Sequence, residues 1–122
     1  MKDFRDLKVW ERGHNLTLKI YKMTSCFPRE EMYGLTSQIR RACASIPTNI
    51  AEGCGRSRDT ELARFIEIAI GSASELEYLL LLSRDIELID EDAYTSLMAD
   101  AIEVKKMLIS FFKSVKLKSN KQ

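Results

Sequence analysis

Residues 33–55 read YGLTSQIRRACASIPTNIAEGCG, and this stretch is the most informative part of the sequence. Its apolar residues recur at spacings of three and four, which predicts one buried helical face: Leu35, Ile39, Ala42, Cys43, Ile46, Ile50 and Cys54. A polar stripe of the same period consists of Gln38, Arg41, Ser45, Asn49 and Glu52. Pro47 removes one backbone hydrogen bond and crowds the carbonyl of Cys43. The stretch therefore predicts a helix that kinks at Pro47, turns Ser45, Asn49 and Glu52 towards a neighbouring helix, and ends at Gly53 or Gly55.

On either side of residues 33–55, the same periodicity predicts three further helices and no strand. The predicted helices cover about residues 3–25, 29–53, 57–88 and 90–115, and residues 116–122 form a frayed basic tail. Ser57 or Asp59 is expected to cap the third helix, and Asp90 the fourth. Short connections make consecutive helices antiparallel neighbours. The predicted fold class is all-α, an antiparallel up-down-up-down four-helix bundle, with residues 1–122 forming a single domain.

The predicted helices carry more apolar surface than one bundle needs. The first helix has one stripe of Leu7, Trp10, His14, Leu18 and Tyr21 and an opposite stripe of Val9, Leu16, Ile20 and Met23. The core stripe of the third helix is Leu62, Phe65, Ala69, Ala73, Leu76, Leu80 and Ser83, and that of the fourth is Tyr94, Leu97, Ala101, Leu108, Phe111 and Val115. A monomeric bundle needs one apolar face per helix, so further subunits are expected to cover the excess. The expected subunit-interface residues are Val9, Leu16, Ile20, Leu82, Ile102 and Ile109.

Composition and motifs argue against several classes of protein. The chain opens without a secretory signal, its longest apolar run is too short to span a bilayer, and its three cysteines lack CxxC spacing, so a cytoplasmic protein with no membrane partner is expected. Cys43 and Cys54 are expected to be packing residues. Glu11 and His14 match the ExxH spacing of di-iron bundles, but a complete site needs two such motifs and the chain has one histidine. His14 is expected to be half-buried and to bond a neighbouring helix. We predict no enzyme, no metal site and no cofactor.

Charge is distributed unevenly although the net charge is only +1. Residues 1–64 carry +4, residues 65–104 carry −9 and residues 105–122 carry +6. Either the charges neutralise one another inside the bundle or a basic end attracts nucleic acid. The candidate nucleic-acid contacts are Arg40, Arg41, Arg56, Arg58, Lys106 and Lys113. Few aromatic residues lie between them, so contacts to the phosphate backbone are expected rather than base recognition. The alternatives are that Arg41 pairs with Glu52 or a neighbouring subunit and that the lysines keep the fourth helix soluble.

Several motifs resemble a known family. They are Gln38-Ile39-Arg40-Arg41, Ser45-Ile46-Pro47 and Asn49-Ile50-Ala51-Glu52-Gly53, with Phe4, Leu7 and Trp10 before them and Arg64-Phe65, Gly71-Ser72 and Glu75-Leu76-Glu77 after them. The pattern resembles the signature of the bacterial 23S rRNA intervening-sequence proteins, also called S23 ribosomal proteins, over nearly the whole chain. The resemblance implies a four-helix bundle and leaves the biochemical role open. That family is similar to the accessory variability protein of diversity-generating retroelements, which implies a pentamer and an RNA, ribonucleoprotein or reverse-transcriptase partner.

The sequence thus favours a non-catalytic, homo-oligomeric module that binds RNA or DNA through sequence-tolerant contacts to the backbone. The alternative is a structural or protein-interaction scaffold without a nucleic-acid role. The isoelectric point of about 7.7 supports this alternative, because dedicated RNA-binding domains usually have values above about 9.

Overall fold

Four α-helices make up most of the chain in the computed structural model, which describes residues 2–121. They are α1 (Lys8–Thr24), α2 (Leu35–Cys54), α3 (Asp59–Asp85) and α4 (Glu91–Lys121), and 3₁₀ turns at Phe4–Asp6 and Arg29–Glu31 precede α1 and α2. Within residues 2–121 no strand is formed. The predicted all-α four-helix bundle is confirmed.

The helices pack in sequence order, α1 on α2, α2 on α3 and α3 on α4, and α4 closes the bundle against α1. Two ion pairs mark the register of the last two contacts. Lys19 of α1 lies 2.9 Å from Asp100 of α4, and Lys105 of α4 lies 3.2 Å from Glu77 of α3. Because the connections are short, each helix turns back and packs beside the preceding one, so consecutive helices are neighbours.

The core contains the apolar stripes predicted for the second, third and fourth helices. All seven residues of the α2 stripe are buried, and so is every member of the α3 stripe. In α4 the stripe is buried at Leu97, Ala101, Leu108 and Val115 and half-buried at its two aromatic residues. The hydroxyl of Ser83, the polar member of the α3 stripe, donates to the carbonyl of Leu79 at 2.7 Å. Burying a large aliphatic side chain contributes roughly 1.5–3 kcal/mol, so these stripes stabilise the bundle.

The first helix packs on the opposite face from the one predicted. Val9, Leu16 and Ile20, expected at a subunit interface, are only 6%, 2% and 0% exposed and lie in the core of the bundle itself. Gly13 lies on that same face, and a Cβ atom there would be 3.2 Å from Cγ2 of Ile46. The missing side chain lets α1 approach α2 closely on this face. In the other stripe Leu18 and Tyr21 are exposed, whereas Leu7 and Trp10 pack partly buried against the core.

Helix α2 continues through Pro47 as predicted, and Pro47 is buried. Its missing N–H leaves the carbonyl of Cys43 without the usual helical donor. The hydroxyl of Thr17 in α1 donates to the carbonyl of Gly13 at 2.8 Å and lies 3.4 Å from the Cys43 carbonyl oxygen. A neighbouring helix thus supplies a donor where the proline has removed one. The kink itself stays a prediction.

Several predicted helix ends differ from the observed ones. Helix α4 runs to Lys121 instead of ending near Val115, because Lys and Leu in its last turns are good helix formers. Gln122, the end of the predicted tail, lies outside the described residues. Arg58 occupies the N-cap of α3 without a side-chain hydrogen bond, so a cap by Ser57 or Asp59 is wrong. The predicted cap of α4 is confirmed, since the Ala93 N–H donates to Oδ1 of Asp90 at 2.8 Å.

Candidate nucleic-acid interface

Three separate segments of the chain bring basic residues to one end of the bundle. Arg56 and Arg58 lie in the connection from α2 to α3, and the Lys2 N–H donates to the carbonyl of Cys54 at 3.1 Å. Helices α3 and α4 are antiparallel and lie side by side at the Lys105–Glu77 ion pair. At 1.5 Å per residue, the last turns of α4 therefore reach the level of the first two turns of α3. The basic end, as we name it, comprises Lys2, Arg56, Arg58, Arg64, Lys116 and Lys118, and Lys113 lies about one turn short of it along α4.

An aromatic ring orients two of the arginines. The guanidinium of Arg64 lies 4.6 Å from the centre of the Phe65 ring and that of Arg56 lies 5.0 Å from it. The quadrupole of the buried phenylalanine ring attracts each of the two cations. The interaction energy is about 0.5–1 kcal/mol for exposed sites. Both guanidinium groups are thereby held near the surface of α3.

Acidic neighbours neutralise this end only in part. Glu52 lies 3.7 Å from Arg56, and Glu61 lies 3.2 Å from Arg64, which holds the pKa of Glu61 below its usual value through a hydrogen bond and its charge. Glu52 therefore pairs with Arg56, and the alternative pairing with Arg41 is wrong. Exposed pairs of this kind contribute little to stability and are exchanged easily for other anions. Arg58 is exposed and has no ion-pair partner within the described residues.

The other two candidate arginines lie elsewhere. At 1.5 Å per residue, Arg41 is about 20 Å along α2 from Cys54, so the structure does not bring it to the basic end. Arg40 is half-buried and holds α2 against the end of α1. Its Nε donates to Oγ1 of Thr24 at 2.7 Å, one Nη donates to the Tyr21 carbonyl at 3.2 Å, and its guanidinium lies 4.6 Å from the Tyr21 ring centre. This clamp satisfies carbonyl and hydroxyl groups in the last turn of α1.

Beside this clamp runs a groove of about 670 Å³ along the outer face of α2. Its lining consists of Tyr21, Met32, Tyr33, Thr36, Ser37, Arg40, Arg41, Ala44, Ser45 and Thr48. We call it the α2 groove. No carboxylate is among the residues that line it. Few aromatic residues lie between the basic residues in the sequence, but folding brings Tyr21 and Tyr33 to the same groove as Arg40 and Arg41.

Lys106 and Lys113 lie on the outward face of α4, two turns apart, and both are exposed. Ile102 and Ile109 share this face, Ile102 being 40% exposed and Ile109 half-buried. Lys105 points elsewhere and forms the half-buried ion pair with Glu77, although the Oε2 of that carboxylate is not in hydrogen-bond geometry. Leu82, the remaining expected interface residue, is partly buried against the core.

The polar stripe of α2 contacts α3. The hydroxyl groups of Ser45 and Ser72 are 2.8 Å apart, and the side-chain amide of Asn49 donates to the Ser45 carbonyl and hydroxyl, both at 2.8 Å. Ser45 therefore turns towards a neighbouring helix, as the stripe predicts, whereas the Asn49 amide bonds within α2 and Glu52 is exposed beside Arg56.

His14 forms part of an aromatic cluster. Its ring stacks on Trp10 at a centroid distance of 5.0 Å and an angle of 6°, and Trp10 also contacts Phe4 at 4.9 Å. The expected hydrogen bond from His14 to a neighbouring helix is not formed within the described residues. In residues 2–121 no group of three or more His, Cys, Asp or Glu side chains is placed to hold a metal ion. None of the described helices combines the length and apolar character needed to cross a membrane.

The two buried cysteines are packing residues, as predicted. Cys43 and Cys54 lie in the core, whereas Cys26 is exposed. Burial raises the pKa of Cys43 to about 11, against the opposing effect of the hydrogen bond with Thr17. Burial also raises the pKa of Cys54. Since the thiolate is the reactive form, neither buried cysteine is suited to nucleophilic chemistry near neutral pH.

Comparisons with known proteins agree with this architecture. The crystal structure of a protein of unknown function from the S23 ribosomal protein family of Bacteroides thetaiotaomicron VPI-5482 superposes with a TM-score of 0.77 and 29% sequence identity, and the match covers 86% of this chain and 98% of that one. A search of curated proteins finds no match. Residues 5–110 match the family described as 23S rRNA-intervening sequence protein. This chain therefore belongs to the family of 23S rRNA-intervening sequence proteins.

Proposed function

We propose that the protein is a non-catalytic, homo-oligomeric module that binds RNA or DNA at the basic end through the phosphate backbone. The observation that carries this proposal is the convergence of basic residues from three chain segments onto one end of the bundle. Arg58, Lys116 and Lys118 are exposed there without ion-pair partners among the described residues. Arginine and lysine neutralise phosphates without regard to base sequence, so such binding tolerates many sequences.

Oligomerisation is supported by the apolar side chains that the bundle leaves exposed. They include Leu18, Ile68, Tyr78, Ile86, Ile102 and Leu117. Soluble monomers of this size rarely expose so many large apolar residues, and a symmetric assembly would cover part of them. Five subunits are the expected number, by the family's likeness to the pentameric accessory variability protein. Repetition of the basic end in each subunit would strengthen weak contacts to one strand of nucleic acid through avidity.

The second candidate function is a protein-interaction scaffold. The −9 charge of residues 65–104, which form most of α3 and the first half of α4, favours it, because this surface would repel nucleic acid. In that case the exposed apolar residues would contact a protein partner and the basic end would remain solvated.

Fluorescence anisotropy with labelled RNA and DNA at low salt tests the proposal. Reversing two charges at the basic end, Arg56→Glu with Arg58→Glu, should weaken binding equally across sequences and flatten the dependence of log K on log salt, since each lost phosphate contact removes about 0.9 from the slope for duplex DNA. Lys22→Glu with Arg29→Glu makes the same charge change at the opposite end and should alter the binding of duplex DNA much less. If the wild-type protein does not bind at low salt, while its oligomer is verified in the same sample, the scaffold is the better description.

A further inference from the structure

We propose that the α2 groove is a separate site for single-stranded nucleic acid, in which a base stacks on Tyr33 and Arg41 contacts the adjoining phosphate. The inference rests on the proposed nucleic-acid function and adds to it a second site with a different preference. The basic end recognises the phosphates of single-stranded and double-stranded nucleic acid alike, whereas this groove selects bases that are not paired in a duplex.

The chemistry of the lining suits an anionic ligand with flat rings. Two arginines, two tyrosines and four hydroxyl side chains line the groove, and no carboxylate does. A phosphate is attracted to the guanidinium groups, and ribose and base edges offer acceptors and donors to Ser37 and Thr48. Sequence-tolerant single-strand binding uses this combination of a basic groove with exposed aromatic rings.

Tyr33 presents a ring to solvent at the entrance of the groove. The residue is 93% exposed, in the turn between the 3₁₀ segment and α2. Tyr21, which also lines the groove, is already covered on one face by Arg40 at 4.6 Å. Tyr33 is therefore the ring on which a base can stack, while Tyr21 and Arg40 form a fixed wall.

The groove also has an unsatisfied polar group in its lining. Thr36 is buried, at 7% exposed, and its hydroxyl has no hydrogen-bond partner within the described residues. Thr36 lines both the α2 groove and an adjoining cavity of about 120 Å³ that also contains Arg40. A buried hydroxyl without a partner costs free energy, and a ligand or a water held by a ligand can satisfy it.

A paired strand does not fit this site. In a duplex the bases are stacked on one another and their flat faces are inaccessible to a protein ring. Only an unpaired base can reach Tyr33, so the groove should discriminate between single and double strands, whereas the basic end, about 20 Å away along α2, should not.

The test compares a fluorescein-labelled single-stranded RNA 12-mer with the duplex of the same sequence. Tyr33→Ala and Arg41→Ala should each weaken single-strand binding about tenfold and leave duplex binding unchanged. Tyr33→Phe keeps the ring and should retain the affinity. Tyr78→Ala removes another exposed tyrosine, outside the groove, and should have no effect. A 5-bromouridine 12-mer should crosslink on irradiation within residues 21–48.

The inference and the proposed function fail in different ways. If Tyr33→Ala leaves single-strand affinity unchanged while reversing Arg56 and Arg58 weakens it, the groove is not the site and the basic end still is. If Tyr33→Ala dissociates the oligomer, the groove is a contact between subunits and the inference is wrong. If the wild-type protein binds neither the single-stranded 12-mer nor its duplex at low salt, both proposals are overturned.

Discussion

Three glycines within helices differ in what surrounds them. A Cβ atom on Gly53 would lie 2.9 Å from both Cδ1 of Leu62 and Cβ of Phe65, which is too close. On Gly13 the closest contact would be 3.2 Å. On Gly71 nothing lies within 4 Å. Glycine at 53 and 13 is therefore explained by close helix packing, and glycine at 71 has no explanation within one subunit.

Replacing Gly71 and Gly53 by alanine should have opposite effects on the free energy of unfolding. Gly71→Ala should raise it by about 0.5–1 kcal/mol, because alanine loses less backbone entropy in a helix and meets no clash. Gly53→Ala should lower it by about 1–3 kcal/mol, since α2 and α3 must separate. Urea denaturation of the two variants measures both effects. Equal effects of the same sign would contradict the packing at these positions.

The thiol of Cys43 should make stability depend on alkaline pH. Folding raises its pKa from 9.0 to about 11, so the folded state favours the protonated thiol. This contribution is complete below about pH 9, the unfolded pKa, and is lost as pH rises towards the folded value. The stability advantage of the wild type over Cys43→Ala should shrink between pH 9 and 11, by on the order of 2 kcal/mol.

Urea denaturation at several pH values provides this measurement, and the other titrating groups cancel in the comparison. Cys26→Ala is the matched control, because Cys26 is exposed and its removal should shift stability equally at every pH. An advantage of the wild type over Cys43→Ala that stays constant from pH 8 to 11 would contradict burial of the thiol.

At the scale of elements, the contact between α1 and α2 depends on a proline within a helix. Pro47 deprives the Cys43 carbonyl of its donor, Gly13 allows α1 to come close, and the Thr17 hydroxyl then lies 3.4 Å from that carbonyl. A proline inside a helix costs roughly 3 kcal/mol when nothing compensates. Here the neighbouring helix compensates in part, so the proline of α2 and the glycine and threonine of α1 act together.

Thr17 and Pro47 should therefore be coupled in a double-mutant cycle. Thr17→Val removes the hydroxyl and should cost about 1 kcal/mol in the wild type. In the background of Pro47→Ala the helix supplies its own N–H to the Cys43 carbonyl, so Thr17→Val should cost less. Free energies of unfolding for the four proteins give the coupling. Additive effects would mean that Thr17 stabilises only its bond to the Gly13 carbonyl.

For the molecule as a whole, burial distinguishes Ile20 from Ile102, which the sequence analysis placed together at a subunit interface. Ile20 is fully buried in the bundle, whereas Ile102 is 40% exposed on the outward face of α4. The proposed oligomer must therefore form through outward residues such as Ile102, and a charge introduced at Ile20 acts on folding.

Ile102→Glu should dissociate the oligomer and leave the helical circular-dichroism spectrum unchanged. Ile20→Glu should unfold the bundle, because an unpaired buried carboxylate costs several kcal/mol. Ile68→Glu is a matched control, with similar exposure on α3. Analytical ultracentrifugation gives the mass of each variant. A wild-type monomer at micromolar concentration would contradict the oligomer, and a dissociating effect of Ile68→Glu alone would place the interface on α3.

Local periodicity was sufficient to predict the helices and most of the core. The stripes of α2, α3 and α4 face the core as expected because the residues of each recur at helical spacing and so form one continuous side. The Asp90 cap could likewise be predicted from the sequence, since a capping hydrogen bond joins residues only three positions apart. The motifs around Arg40 and Pro47 also identified the family.

The tertiary structure alone decided the orientation of α1 and the composition of the candidate sites. Both stripes of α1 contain large apolar residues, and the one that faces inward lies on the side of Gly13, where the missing side chain permits a close approach to α2. Tyr21, Tyr33 and Arg41 share a groove, and Lys2, Arg58 and Lys118 share an end, only because antiparallel packing returns distant segments to the same level. Sequence periodicity reports the environment of a residue along its own helix, whereas a site depends on which other helices lie beside it.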